Sequence, residues 1–295
     1  MLDSSERESS VRHWRMRSSN TGEIYDIAIY LPKRAPPKGG YPVFYVLDGG
    51  VLFGSFMEAA RNRANSGELD QAVVVGIEGA SAKDGSAIQG GGDRFYDFSP
   101  SELTPEEKVI IYDADVEARH GGADHFFNFI QRELKPAILS IASINSARST
   151  LFGWSLGGNF ALNVMLRNPT SFQGFVALSP SIWWGNRIIL DSVPIFFTTI
   201  AAQHLHPRLF LGVSSGEGDP AKWFVGDHDD PTKVKREAVY TRMLVNTVNL
   251  TADLRSRDTG HLLTINSKIY EGRTHNSVPW EALNGILDFA LYKSR

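Results

Sequence analysis

The 295-residue sequence contains no cysteine. That excludes disulfides, thiolate metal sites and cysteine nucleophiles, and it leaves the compartment open, because secreted and periplasmic enzymes also do without thiols. It has no excess of charge of either sign. Its 30 basic and 33 acidic residues give a formal net charge of −3, which offers neither nucleic acid nor an anionic membrane an electrostatic partner. No apolar run reaches the roughly 18 residues of a membrane-spanning helix. The N-terminal "MLDSSERESSVRHWRMRSS" is polar and lacks the apolar h-region of a signal peptide. With the initial methionine this favours a cytoplasmic protein, a mature periplasmic form being the alternative. There is no phosphate-binding G-x-x-x-x-G-K-[ST] loop, and no dinucleotide fingerprint follows an early strand. No zinc motif is present, so His204, His206 and the acids from Asp227 to Asp230 read as surface loops rather than metal ligands.

What the sequence does have is a hydrophobic content of 42%, enough for a globular core. Residues 1–20, rich in serine and mixed charge, read as a flexible N-terminal segment, and 21–295 as one domain. "EIYDIAIYLP" alternates as a half-buried strand, while "VFYVLDGG", "AVVVGIEG", "STLFGWS", "GFVALSPS", "RLFLGVSSGE" and "LTINSKIYEG" read as further strands. Between them, "ADHFFNFIQRELKPAILSI" carries Phe126, Phe129, Ile130 and Leu134 on one face of a helix that Pro136 ends or bends. "LGGNFALNVMLRNP", "KVKREAVYTRMLVNTVN" and "PWEALNGILDFALY" are also helical, the last starting at Pro279. "LTPEEKVIIYDADVEARHGG" is read as a short helix or lid. The polar, glycine-rich stretch between Gly79 and Pro100 is long for a plain connection, and such loops are often functional. Buried strands alternating with helices predict an α/β fold, with a mainly parallel central sheet flanked by helices on both faces.

The pattern G-x-S-x-G occurs twice, at Gly153-Trp154-Ser155-Leu156-Gly157 and at Gly212-Val213-Ser214-Ser215-Gly216. A nucleophile elbow needs a strand before the serine, a tight turn at it and a helix directly behind it. Ser155 has all three. After Ser214 the chain continues "EGDPAKWF" with no helical pattern, so Ser214 reads as part of a strand-end loop. A serine hydroxyl needs a base, and in this topology the order is serine, acid, histidine. His275, in "EGRTHNSVPW" after the last buried strand, is the expected base. His228, in an acidic loop, and His261, in "TGHLL", are the other histidines weighed. Glu217 is the first choice for the acid and Asp219 the second, with Asp258 more remote. The remaining reading is a Ser–His dyad whose neighbouring acids are solvated. An oxyanion hole needs two donors: the Leu156 backbone N–H, and one from Gly49 or Gly50 in "VLDGG". The plain reading of Asp48-Gly49-Gly50 is a turn.

The segments "YPVFYVLDGG", "GGADHFFNFIQRELKPAI", "GWSLGGNFALN", "ALSPSIWW" and "EGRTHNSVPWEAL" occur in an order that resembles the esterase branch of the α/β hydrolases. The likeness is greatest to siderophore esterases that cleave enterobactin-, bacillibactin- or fusarinine-type esters. It covers roughly residues 20–293, and "SPSIWW" with "EGRTHNS" is more specific than the elbow alone. The resemblance implies an α/β-hydrolase fold, with Ser155 and His275 as the catalytic pair and Leu156 with Gly49 at the oxyanion hole. It also implies a siderophore ester as the small-molecule substrate. Any iron then belongs to that substrate, and the enzyme needs no cofactor. In "RFYDFSP" it places Arg94 beside the substrate cleft, where a guanidinium suits ligand oxygens; the plain alternative is a salt bridge holding the loop. Trp183 and Trp184 are expected either to wall the cleft or to pack in the core. The chain departs from the family in having Trp154 where histidine is frequent before the nucleophile. Its segment before the histidine loop is also longer than a minimal connection. Two other functions stay open: a general acyl-ester or thioester hydrolase on the same scaffold, and a non-catalytic siderophore-binding protein.

Overall fold

The computed structural model describes residues 10–79, 93–112, 119–219 and 231–292. Its strands are β1 (Val11–Arg17), β2 (Ile24–Tyr30), β3 (Tyr41–Leu47), β4 (Val73–Gly79), β5 (Ile144–Trp154), β6 (Gly174–Leu178), β7 (Arg208–Ser214) and β8 (Thr264–Tyr270). Its helices are α1 (Gly49–Asn65), α2 (Arg94–Phe98), α3 (Pro105–Tyr112), α4 (Ala123–Phe129), α5 (Lys135–Leu139), α6 (Leu156–Arg167), α7 (Trp184–Arg187), α8 (Val193–Ala202), α9 (Pro231–Thr241), α10 (Met243–Arg257) and α11 (Val278–Leu291).

All eight strands join one sheet in the order β1-β2-β4-β3-β5-β6-β7-β8. The run from β4 to β8 is parallel, and β2 is antiparallel to both β1 and β4. The period-2 alternation of a strand divides each central strand between two cores. Val43, Tyr45 and Leu47 of β3 face one apolar cluster, which Phe126 of α4, Phe160 of α6, Phe196 of α8 and Leu250 of α10 complete. Phe44 and Val46 face the other, closed by Leu52 and Phe56 of α1 and by Ile286 and Leu287 of α11. Both faces are therefore dry, which is why β3 is buried at every residue and reads as a continuous apolar run.

Two expectations from the sequence change here. The composition of residues 1–20 predicts a flexible segment, yet within it Val11–Arg17 pairs with β2 along its length. Trp14 and Met16 pack against the core, and the interleaved Arg12, Arg15 and Arg17 give this edge strand its polar composition. Pro136 does not end its helix, which runs on to Leu139. The five residues before α5, Ile130–Leu134, widen into a π-turn in which the Lys135 N–H reaches the Ile130 carbonyl. That accommodates the missing proline N–H and the ring's demand for space.

The topology also locates a cleft. From β3 the chain steps outward to β4, then returns to place β5 on the other side of β3. At such a switch point the loops leaving the carboxyl ends of the two strands diverge and open a crevice. Here those loops are Asp48-Gly49 after β3 and Ser155 after β5.

Candidate active site

Ser155 stands between the end of β5 and the first residue of α6, with φ 59° and ψ −121°. A non-glycine residue in this region stores on the order of 1–3 kcal/mol of backbone strain and needs firm neighbours to hold it. Three backbone hydrogen bonds do so. The Ser155 N–H donates to Leu178 O (2.9 Å), and Ser155 O accepts from Ser181 N–H (3.0 Å) and Asn159 N–H (3.0 Å). The turn is so tight that a Cβ on Gly153 would stand 1.9 Å from Gly157 O, so that position admits only glycine. Behind the serine, the first N–H groups of α6 have no intrahelical acceptors and form the positive end of the helix dipole.

Glu217 and His275 meet just beyond the ends of β7 and β8. His275 Nδ1 lies 2.5 Å from Glu217 Oε1. The other carboxylate oxygen, Oε2, accepts from Ser179 Oγ (2.6 Å), Ser214 N–H (2.9 Å) and Ser214 Oγ (2.8 Å). The second G-x-S-x-G is therefore a capped turn that presents the acid. Two bonds stitch this turn to the histidine loop: Gly272 N–H to Ser215 Oγ (2.9 Å) and Gly216 N–H to Arg273 O (3.0 Å). The His275 ring lies over the indole of Trp154, with centroids 4.9 Å apart, which brings it to the residue just before Ser155. Burial works against the charged form of Glu217, whose side chain is fully enclosed. The electrostatic attraction and hydrogen bond of His275, with the bonds from Ser179 and Ser214, outweigh that and hold its carboxyl below the usual range.

Of the alternative acids, Asp258 is spent on the Leu262 and Leu263 N–H groups in the turn before β8. His261 is exposed in that same turn. His228 and the acids Asp227 to Asp230 lie outside the described residues. Among the described residues no cluster of three histidine or acidic side chains could hold a metal ion. No helix among them is long and apolar enough to cross a membrane.

The glycines after β3 differ in what their N–H groups do. That of Gly50 donates to Glu78 Oε2 (2.8 Å). Gly49 is the first residue of α1, where helix geometry provides no intrahelical acceptor. The two tryptophans also differ from a pair of cleft walls. Trp184 is 1% exposed, its indole N–H donates to Ser101 O (2.9 Å), and its ring lies among Phe95, His120 and Trp183. It is a packing residue that joins α7 to the segment before α3. Trp183 is buried between Trp184 and Tyr240 of α9.

Of the two readings of Arg94, a substrate contact or a salt bridge that holds its loop, the salt bridge is present. Arg94 Nε and Nη2 donate to the two carboxylate oxygens of Asp48 at 2.6 and 3.0 Å. Sequence reasoning missed Asp48 and Ser179 as parts of this site, and it placed Ser214 in the acid-bearing loop without its bond to Glu217. Ser214 had a signal, the serine three residues before a glutamate that marks a capping box. The pairing of Asp48 with Arg94 across 46 residues had none.

One turn beyond Arg94, Asp97 is buried and accepts a hydrogen bond from the Tyr25 hydroxyl (2.9 Å). Its other oxygen has no partner among the described residues. Burial pushes its carboxyl from 3.8 up to about 7, with Asp93 and Glu23 adding to the rise and the Tyr25 bond opposing it. A carboxyl raised in the folded state stabilises the fold below its unfolded value, and that contribution is lost as pH rises through the folded value. Wild-type stability should therefore fall between about pH 4 and 7, by up to about 1.4 kcal/mol per pH unit. Asp97→Asn should flatten this part of the profile, as urea unfolding at pH 5 and pH 8 will read.

A model of the "Putative esterase" family matches residues 18–228. The chain belongs to that family. It is 38% identical over 208 residues to the ferri-bacillibactin esterase BesA of Bacillus subtilis (strain 168), covering 68% of each chain. It is 30% identical over 266 residues to the siderophore triacetylfusarinine C esterase of Aspergillus fumigatus, covering 88% of this esterase and 86% of the relative. Among solved structures, the siderophore hydrolase EstA from Aspergillus nidulans matches with a TM-score of 0.81 at 29% identity, over 98% of this chain and 96% of that one. The BES protein from Bacillus cereus matches with a TM-score of 0.79 at 31% identity, over 97% of each. The sheet of this esterase, with helices on both faces, is that of the α/β hydrolases.

Proposed function

We propose that this esterase uses Ser155, His275 and Glu217 to cleave the ester bonds of a siderophore through an acyl-enzyme. The observation that carries the reading is the buried Glu217–His275 pair beside the strained serine turn. With Nδ1 committed to Glu217, Nε2 is the nitrogen that takes the proton. As Ser155 Oγ attacks the ester carbonyl carbon, His275 Nε2 removes its proton, and the carbonyl oxygen becomes an oxyanion bound by the Leu156 and Gly49 N–H groups. The bond to the alcohol oxygen then breaks, and that oxygen takes the proton from Nε2. Water gives a proton to His275 as it attacks the acyl carbon, and Ser155 leaves with that proton, taken from Nε2. Glu217 stays ionised and keeps the ring in the required tautomer.

The names of the relatives support a siderophore as substrate. Iron, where bound, is cargo of that substrate. The test is mass spectrometry of products after incubation with ferric and iron-free forms of a cyclic catecholate trilactone and a cyclic hydroxamate triester, beside short p-nitrophenyl esters. Ring-opened siderophores are expected, each hydrolysed ester adding one water. Turnover of the aryl esters alone would make the protein a general acyl hydrolase. Siderophore binding without products, and without fluorophosphonate labelling of Ser155, would make it a binding protein.

A further inference from the structure

We propose that the Asp48–Arg94 ion pair holds and electrically neutralises the back wall of the oxyanion hole, making Arg94 a positioning residue for the transition state; this rests on the hydrolase reading above. Asp48 precedes Gly49 at the N-terminus of α1, with left-handed backbone angles (φ 53°, ψ 45°). An aspartate there ordinarily turns its carboxylate onto the helix N–H groups. This one makes no such cap, and both oxygens point to the Arg94 fork instead.

The pair touches each backbone segment that the oxyanion hole requires. Asp48 is covalently next to Gly49. A Cβ on Gly157 would lie 3.3 Å from Asp48 Oδ2, so the carboxylate abuts the first turn of α6, where Leu156 sits. Arg94 Nη2 lies 3.5 Å from the carbonyl oxygen of Trp154, the residue before Ser155. Its guanidinium also stands 5.2 Å from the centre of the Phe98 ring. Side-chain exposures of 16% for Arg94 and 6% for Asp48 leave the pair little solvent screening. Gly49 itself is wedged, since a Cβ there would stand 2.7 Å from Ile77 N. The loop therefore has one way to sit, and the ion pair fixes its free side.

The charge matters as much as the geometry. A lone carboxylate behind two N–H donors would oppose the negative charge that grows on the ester oxygen. The guanidinium cancels it, and its bidentate fork fixes the orientation. Removing Arg94 alone should therefore be worse than removing both charges. On a p-nitrophenyl ester, Arg94→Met is expected to lower kcat about 100-fold, with KM changed less than about twofold. The double variant Asp48→Asn/Arg94→Met should recover at least about tenfold of that kcat.

A residue that merely supports the fold would leave the double variant no faster than the single, and that result overturns the proposal. So does a raised KM with kcat intact, the signature of a substrate contact. Should Arg94→Met fail to fold, Arg94→Lys keeps the charge and loses the fork. It is expected to lose about tenfold in kcat at constant KM, and an unchanged kcat would overturn the proposal. Absence of wild-type turnover on the same ester is a separate result, which would overturn the hydrolase reading and this one with it.

Discussion

Replacing Ser155 by alanine is expected to lower kcat/KM for ester hydrolysis by at least about 10⁴-fold while leaving the circular dichroism spectrum unchanged. The serine of the other G-x-S-x-G cannot take over the attack. That residue, Ser214, is fully buried with its hydroxyl on Glu217. The variant should also cease to react with fluorophosphonates, so loss of turnover and loss of labelling coincide. Glycine at the same position separates chemistry from strain. At φ 59° and ψ −121°, glycine meets no Cβ penalty, so Ser155→Gly should be as inactive as the alanine variant. It should also be more stable than wild type by roughly 1–2 kcal/mol in urea unfolding. Wild-type rates in either variant would remove Ser155 from the mechanism.

The second large effect is expected at Glu217. The carboxylate accepts from His275 on one oxygen and from Ser179 and Ser214 on the other. In Glu217→Gln the amide must choose an orientation. Its oxygen will face Ser179 and Ser214, because the NH₂ group there would meet the Ser214 backbone N–H, which can only donate. The NH₂ group then points at His275 Nδ1 and donates to it, which forces the ring proton onto Nε2. That is the tautomer that cannot accept the Ser155 proton. A loss of roughly 10³- to 10⁴-fold in kcat is expected, with fold retained at a cost of about 1–3 kcal/mol. An almost unimpaired glutamine variant would mean that serine and histidine work as a dyad.

The pH dependence has a definite sign. Folding lowers the Glu217 pKa, so its contribution to stability is in place above the ordinary value of 4.5 and is lost as pH falls through the lower folded value. Acid unfolding of Glu217→Gln should lack that loss.

Much of this was legible in the sequence, because the legible parts are local. Strand β3 is an apolar run, Ser155 sits in a glycine pattern between a strand and a helix, and Glu217 follows β7 within a few residues. His275 could be found because parallel strands deliver their loops to one edge in chain order. What resisted reading depends on residues distant in sequence or on a role that composition disguises. Asp48 and Arg94 are both plausible as solvated loop charges until the fold brings them together. Trp184 is an aromatic beside a strand end, which describes a cleft wall as well as a core residue. β1 carries three arginines in seven residues, and only its register against β2 reveals its apolar face.

The same sheet order sets how the molecule loses activity. β8 ends the sheet and is held by one ladder, to β7. Only its last residue, Tyr270, is buried. His275 lies five residues further on, past the end of that strand. Peeling one edge strand costs less than melting a sheet packed on both faces. It would carry the histidine away while Ser155 stays fixed between β5 and α6. The two halves of the chemistry thus belong to regions of unequal durability, and on heating the base should come adrift while the nucleophile is still in place.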